Sequence, residues 1–159
     1  MPIKAYKYRI YPNKECQQKI DSTIETCRRL YNRLLGQRLA VNTPSFQVAM
    51  ATEHPEDNAN FCWGSHGYPL IKKYINRYDQ QVFIKEWKVK DDYLKAVYSN
   101  SLISIAVKVD NVMKAFFDRC KKKNKGLISD VGVPRFANRD KYNSFTYESG
   151  SGFKLKDSV

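Results

Sequence analysis

Four lysines crowd five positions of the run Asp118-Arg119-Cys120-Lys121-Lys122-Lys123-Asn124-Lys125-Gly126. Cations at a helix C-terminus complement its dipole, which accounts for one or two of them. Four exceed that role and suit phosphate neutralisation. A second group, Arg28, Arg29, Tyr31, Asn32 and Arg33, holds residue types that make bidentate hydrogen bonds to base edges, so its helix is a candidate for a groove contact. Tyr31 also falls on an apolar stripe, and core packing is an equal reading for it. The acidic residues offer no matching chemistry. Asp110, Asp118, Asp130 and Asp140 scatter over helix surfaces and loops, with no apolar strand to bring two or three carboxylates onto a metal ion. Cys16, Cys27, Cys62 and Cys120 form no C-x-x-C pair, and Cys62 and His66 have only His54 as a further histidine, short of a four-ligand zinc set. Reduced thiols and no resident metal or cofactor are expected.

The net charge of +12 is unevenly distributed along the 159 residues. Residues 1–41 and 99–159 each carry a surplus of six positive charges, while residues 42–98 are balanced. Two basic flanks around a neutral middle suit a fold in which the flanks meet on a polyanion. At 42% hydrophobic residues the chain can build a core, which excludes a disordered tail. No run nears the ~18 apolar residues of a membrane span, and Met1-Pro2-Ile3-Lys4 is no secretory signal. One soluble, cytoplasmic domain is expected.

The elements that must carry these groups follow from periodicity. Ile3 to Tyr11 alternate like a β-strand ended by Pro12. Asn13 is a good N-cap, and Cys16, Ile20, Ile24, Cys27, Leu30, Tyr31, Leu34 and Leu35 recur as one face of a helix reaching about Leu39. The segment from Ala51 to Tyr68 reads as a surface loop, and Leu70 to Trp87 permit one or two further helices. Leu102, Ile105, Ala106, Val109, Val112, Met113, Phe116 and Phe117 mark a second long amphipathic helix, opened by Ser99-Asn100-Ser101. After Gly132 and Pro134, Ser144-Phe145-Thr146-Tyr147 reads as a short strand, and Phe153 and Leu155 begin another. That last strand lacks a partner, which suggests part of a larger folding unit.

Four segments occur in the order seen in a known family: Ala5-Tyr6-Lys7-Tyr8-Arg9-Ile10-Tyr11-Pro12-Asn13-Lys14-Glu15; Cys27-Arg28-Arg29-Leu30-Tyr31-Asn32; Met113-Lys114-Ala115-Phe116-Phe117; and Val131-Gly132-Val133-Pro134-Arg135-Phe136 leading into Ser144-Phe145-Thr146-Tyr147. In these the chain resembles the amino-terminal region of the TnpB proteins of insertion sequences and of the compact type V CRISPR (Cas12-like) nucleases descended from them. The resemblance implies an α+β fold: a helical recognition bundle inserted into an incomplete, OB-like wedge β-barrel. The first wedge strand would span residues 1–12, the recognition domain 13–129 with a loop or insertion at 42–69, and further wedge strands 130–159.

The resemblance also implies a role. Such a region binds a guide RNA scaffold and the duplex motif flanking the target DNA, while Mg2+-dependent cutting belongs to a RuvC nuclease portion in cis or in trans. Lys7, Arg9, Lys121, Lys122, Lys123, Lys125, Arg135, Arg139 and Lys141 are then placed on RNA phosphates, with Phe136 packed or stacked on a base. Arg28, Arg29, Tyr31, Asn32 and Arg33 are placed on DNA, and by the same resemblance Asn100, Ser101, Ser104, Thr146 and Tyr147 lie near the flanking motif. Tyr6 and Tyr8 either fill the barrel or stack on bases. Two other readings stay open: a non-catalytic DNA- or RNA-binding regulator, and a helical protein-interaction domain whose charge is incidental.

Overall fold

The computed structural model describes residues 7–42 and 75–147. Four helices form in these residues: α1 (Lys14–Asn42), α2 (Arg77–Lys90), α3 (Asp92–Ala96) and α4 (Ser99–Asn124), followed by one 3-10 turn at Arg139–Lys141. Each boundary has a local cause. The Asn13 side chain accepts the Cys16 N–H at 2.8 Å, capping α1 as its position predicts. Asn76 and Asp79 form a reciprocal capping box at the start of α2. Asp91 accepts from the N–H groups of Tyr93 and Leu94 and so turns the chain into the short α3. At the far end of α4, Gly126 takes φ +71°, which lets the N–H groups of Gly126 and Leu127 bond back to the carbonyls of Lys123 and Lys122.

The apolar stripes of α1 and α4 meet. Leu34, Leu35, Leu102, Ala106 and Val109 lie at the centre of one core, which Ile84 and Trp87 of α2 and Leu94 of α3 complete. Burying each large aliphatic side chain here contributes roughly 1.5 to 3 kcal/mol. Inside the same core a polar cluster joins three helices. Arg38 of α1 donates to Gln80 of α2 at 2.9 Å and to Asp110 of α4 at 2.8 Å. Gln80 in turn donates to the Leu34 carbonyl, and Lys114 pairs with the other Asp110 oxygen at 2.9 Å. Burial pushes the Asp110 carboxyl up, but the hydrogen bonds from Lys114 and Arg38 outweigh it and hold the group below the ordinary carboxylate range.

The expected barrel is overturned: among the described residues the fold is helical and no strand forms. Residues 7–13 lead into α1 with Tyr8 and Tyr11 more than four-fifths exposed, so Tyr8 fills no barrel. Residues 127–147, extended at Asn138 and Tyr142, lie as a strap across α1 and α4. A strand needs a neighbouring backbone to complete its ladder. Helix side chains take that place here: Asn32 and Arg28 bond the backbone of Ala137, and Ser101 donates to the Thr146 carbonyl at 2.8 Å. Pro134 and Tyr142 are buried by this return, with Phe136 and Phe145 packed at the edge of the core. Residues 3–6 of the expected first strand, the loop at 51–68, the strand beginning at Phe153 and Leu155 and the group Cys62, His54 and His66 lie outside the described residues.

Candidate nucleic-acid interface

Of the α1 arginines, Arg28, Arg33 and Arg38 are held within the fold. Arg28 makes two hydrogen bonds to the Glu25 carboxylate, at 2.8 and 3.0 Å, and a third to the Ala137 carbonyl at 3.2 Å. Arg29 reaches Glu25 at 2.9 Å and is otherwise largely exposed. With the Arg28 hydrogen bond as the largest cause, Glu25 titrates at about 2. Asn32 donates to the Ala137 carbonyl at 3.2 Å and accepts the Ala137 N–H at 2.7 Å, so both ends of its amide bind the strap. Arg33 lays its guanidinium 3.5 Å above the Trp87 ring. Tyr31 is buried in the core, its ring 6.0 Å from that of Tyr142.

A different set of cations gathers where the strap crosses α4. An open groove of about 300 Å3 there is lined by Lys108, Arg135 and Lys141 together with Tyr31, Phe136 and Tyr142. A second hollow, of about 290 Å3, adjoins it through Lys108 and Tyr142 and includes Ser104, Asn111 and Thr146. The Lys108 ammonium sits 4.4 Å from the centre of the Tyr142 ring and 5.9 Å from that of Tyr31. No ion pair engages Lys108, Arg135 or Lys141 among the described residues, and all three are exposed. Below them burial pushes the Cys27 thiol up to about 11 and drives the buried Tyr142 hydroxyl well above its usual range.

The other expected contacts divide. Lys121, Lys122, Lys123 and Lys125 project into solvent at the end of α4, with Lys121 3.7 Å from Asp118 and Lys123 3.6 Å from Asp130. Lys7, Arg9 and Arg139 are exposed, and Arg9 lies 5.9 Å from the Tyr11 ring. Ser101 is fully buried against the strap, Ser104 donates to the Ser101 carbonyl, Asn100 is half-buried, and Thr146 and Tyr147 are exposed. Tyr147 packs its ring near Tyr98 and Phe145. Sequence reasoning missed Lys108 and Asn111, although Ser101, Ser104, Lys108 and Asn111 form a polar row at helical spacing beside the apolar stripe of α4. Among the described residues no cluster of three His, Cys, Asp or Glu side chains is able to hold a metal ion. Nor is any helix there long and apolar enough to cross a membrane.

Comparison with known proteins adds one finding. Residues 1–40 match the family model of a helix-turn-helix domain, that of the IS605 OrfB proteins. No curated protein and no solved structure matches the chain. The described part of the matched span supplies one continuous helix, α1, and the helix packed on it, α4, comes from beyond the match. The match supports an OrfB/TnpB-type amino-terminal region and, with it, DNA binding by a transposon-associated protein.

Proposed function

We propose that this chain is the nucleic-acid-binding portion of a transposon-encoded, RNA-guided DNA endonuclease. It grips a guide RNA scaffold and the duplex beside the target, and the RuvC-type nuclease with its Mg2+ carboxylates works from another part of the polypeptide or from a partner. The reading rests on the groove in which Lys108, Arg135 and Lys141 meet beside aromatic side chains without carboxylate partners among the described residues. Cations that hold no carboxylate are available to phosphates, and helix α1 with its family match stands directly behind them. Lys121, Lys122, Lys123, Lys125, Arg139 and Lys7 extend the cationic surface available to the RNA, and Arg29 with Thr146 and Tyr147 remains accessible to DNA. Arg28, Asn32 and Ser101 act as the braces that keep the strap in position.

Filter binding with a structured RNA from the same locus and with duplex DNA, across a salt series, tests this. Tight RNA binding with a steep salt dependence is expected. Duplex binding that needs no RNA favours a regulator of the same family, and no binding to either polymer removes the proposal.

A further inference from the structure

We propose that the outward face of α2 is the seam of a two-fold dimer, in which α2 lies antiparallel to α2 of a second copy of this chain. This stands independently of the nucleic-acid reading. One side of α2 buries Gln80, Ile84 and Trp87. On the opposite side Val82, Lys85, Glu86 and Val89 recur at three- and four-residue spacing, and all four are exposed, Val82 by 52% and Val89 by 73%. A single exposed valine is ordinary. These two stand equally far on either side of the Lys85–Glu86 junction, so a half-turn about an axis through that junction sets Val82 of one copy on Val89 of the other, and Lys85 on Glu86. The symmetry repeats each contact, giving two valine pairs and two pairs of opposite charge. A parallel pairing would set like charges against each other instead. Neither Lys85 nor Glu86 forms an ion pair among the described residues, so the cross-pair displaces none of those. Tyr78 and Tyr93 fall at equal distances along the sequence beyond the valines, but Arg77 already donates to the Tyr78 hydroxyl and lies over its ring, so the seam needs only the four central residues. Two copies that each carry +12 repel, and residues 42–98 are the charge-balanced stretch, so a contact through α2 joins the copies where repulsion is least. One 14-residue helix offers less than the about 800 Å2 per partner of a standard stable interface, so the dimer is weak, with a dissociation constant of roughly 10 to 100 µM.

Sedimentation equilibrium of the full chain, free of nucleic acid and loaded from about 1 to about 300 µM, should show a reversible monomer–dimer equilibrium. Lys85→Glu alone sets carboxylates against each other across the seam, and Glu86→Lys alone sets ammonium groups against each other. Each should weaken the dimer roughly tenfold. The chain carrying both substitutions again pairs opposite charges and should recover the affinity of the unmodified protein. Val82→Ser with Val89→Ser should abolish the dimer at these concentrations and leave thermal unfolding unchanged, because both side chains are exposed. Hydroxyl-radical footprinting of the unmodified chain should show residues 82–89 becoming protected as concentration rises. A monomer at every concentration overturns the proposal, and so does a dimer indifferent to the exchange of the two charges. Protection of residues 82–89 that does not change with concentration gives the face to another segment of the same polypeptide and overturns the dimer seam as well.

Discussion

The two basic regions of this molecule use the same residue types for different ends. On α1, Arg28, Arg33 and Arg38 are engaged by a carboxylate and a carbonyl, by an indole ring, and by a buried glutamine and aspartate. Where the strap crosses α4, Lys108, Arg135 and Lys141 line a groove with no acid among its described lining residues. Net charge treats both sets alike. The contrast shows that a cation counts toward ligand binding only when the fold has not already given it a partner, because desolvating and re-pairing it then costs little.

Arg38 is the strongest test of the held set. Arg38→Ala removes the donor from buried Gln80 and leaves Asp110 with Lys114 alone, and urea unfolding should show a loss of about 2 to 4 kcal/mol. A loss below about 1 kcal/mol would mean that the cluster does not hold the three helices together. Asn32→Ala comes next. It removes two of the three hydrogen bonds on the Ala137 backbone and leaves the one from Arg28 to the carbonyl, so a loss of about 1 to 2 kcal/mol is expected, with hydrogen exchange rising along residues 135–138. Unchanged stability with altered DNA preference would instead put Asn32 in a base contact.

For the groove set, changing Lys108, Arg135 and Lys141 together to Gln should lower the salt slope of single-strand binding by roughly 2 to 3. Stability should stay within about 0.5 kcal/mol per site. The same operation on Lys121, Lys122, Lys123 and Lys125 should cost less slope than the number of lysines suggests, because Asp118 and Asp130 stand near two of them. A larger loss from the lysine run would move the main nucleic-acid path to the end of α4. The smallest effect belongs to Glu25. Its pKa falls from 4.5 to about 2 in the fold, so its pairing with Arg28 stabilises the protein above the ordinary carboxylate pKa and is lost as pH falls toward 2. The pair is partly exposed, so the contribution is under about 1 kcal/mol. The stability gap between the unmodified protein and Glu25→Gln should close between pH 5 and pH 2, by roughly that amount.

Local signals carried the long helices. Asn13 capped α1 as expected, and the apolar residues named for α1 and α4 include most of the core, among them Cys27, Leu30, Leu34, Leu35, Leu102, Ile105 and Val109. Leu70 to Trp87 permitted helix without bounds, because the limits depend on caps at Asn76 and Asp91 and on the contacts that α2 makes with α4. Residues 144–147 read as strand in the sequence and lie in a strap in the fold for a definite reason. Alternation in Ser144–Tyr147 reports extended backbone, and extended backbone is common to a strand and to a strap held by helix side chains. Asn32 and Ala137 lie 105 residues apart, and Arg28 and Ala137 lie 109 apart, so no periodicity links them.

What residue order alone settled is therefore helical: where α1 and α4 run, the faces they bury from Cys27 and from Leu102 onward although Cys16 at the head of the α1 stripe is exposed, where Gly126 ends the second, and that the chain carries excess positive charge on both flanks. Packing settled which of those charges remain available. Arg28 and Asn32 became braces because the strap passes over them, and Lys108 became a groove residue because the same strap brings Arg135 and Lys141 beside it. Helix formation rests on neighbours three and four positions away, whereas a cation's partner is set by whichever distant segment the core draws alongside it.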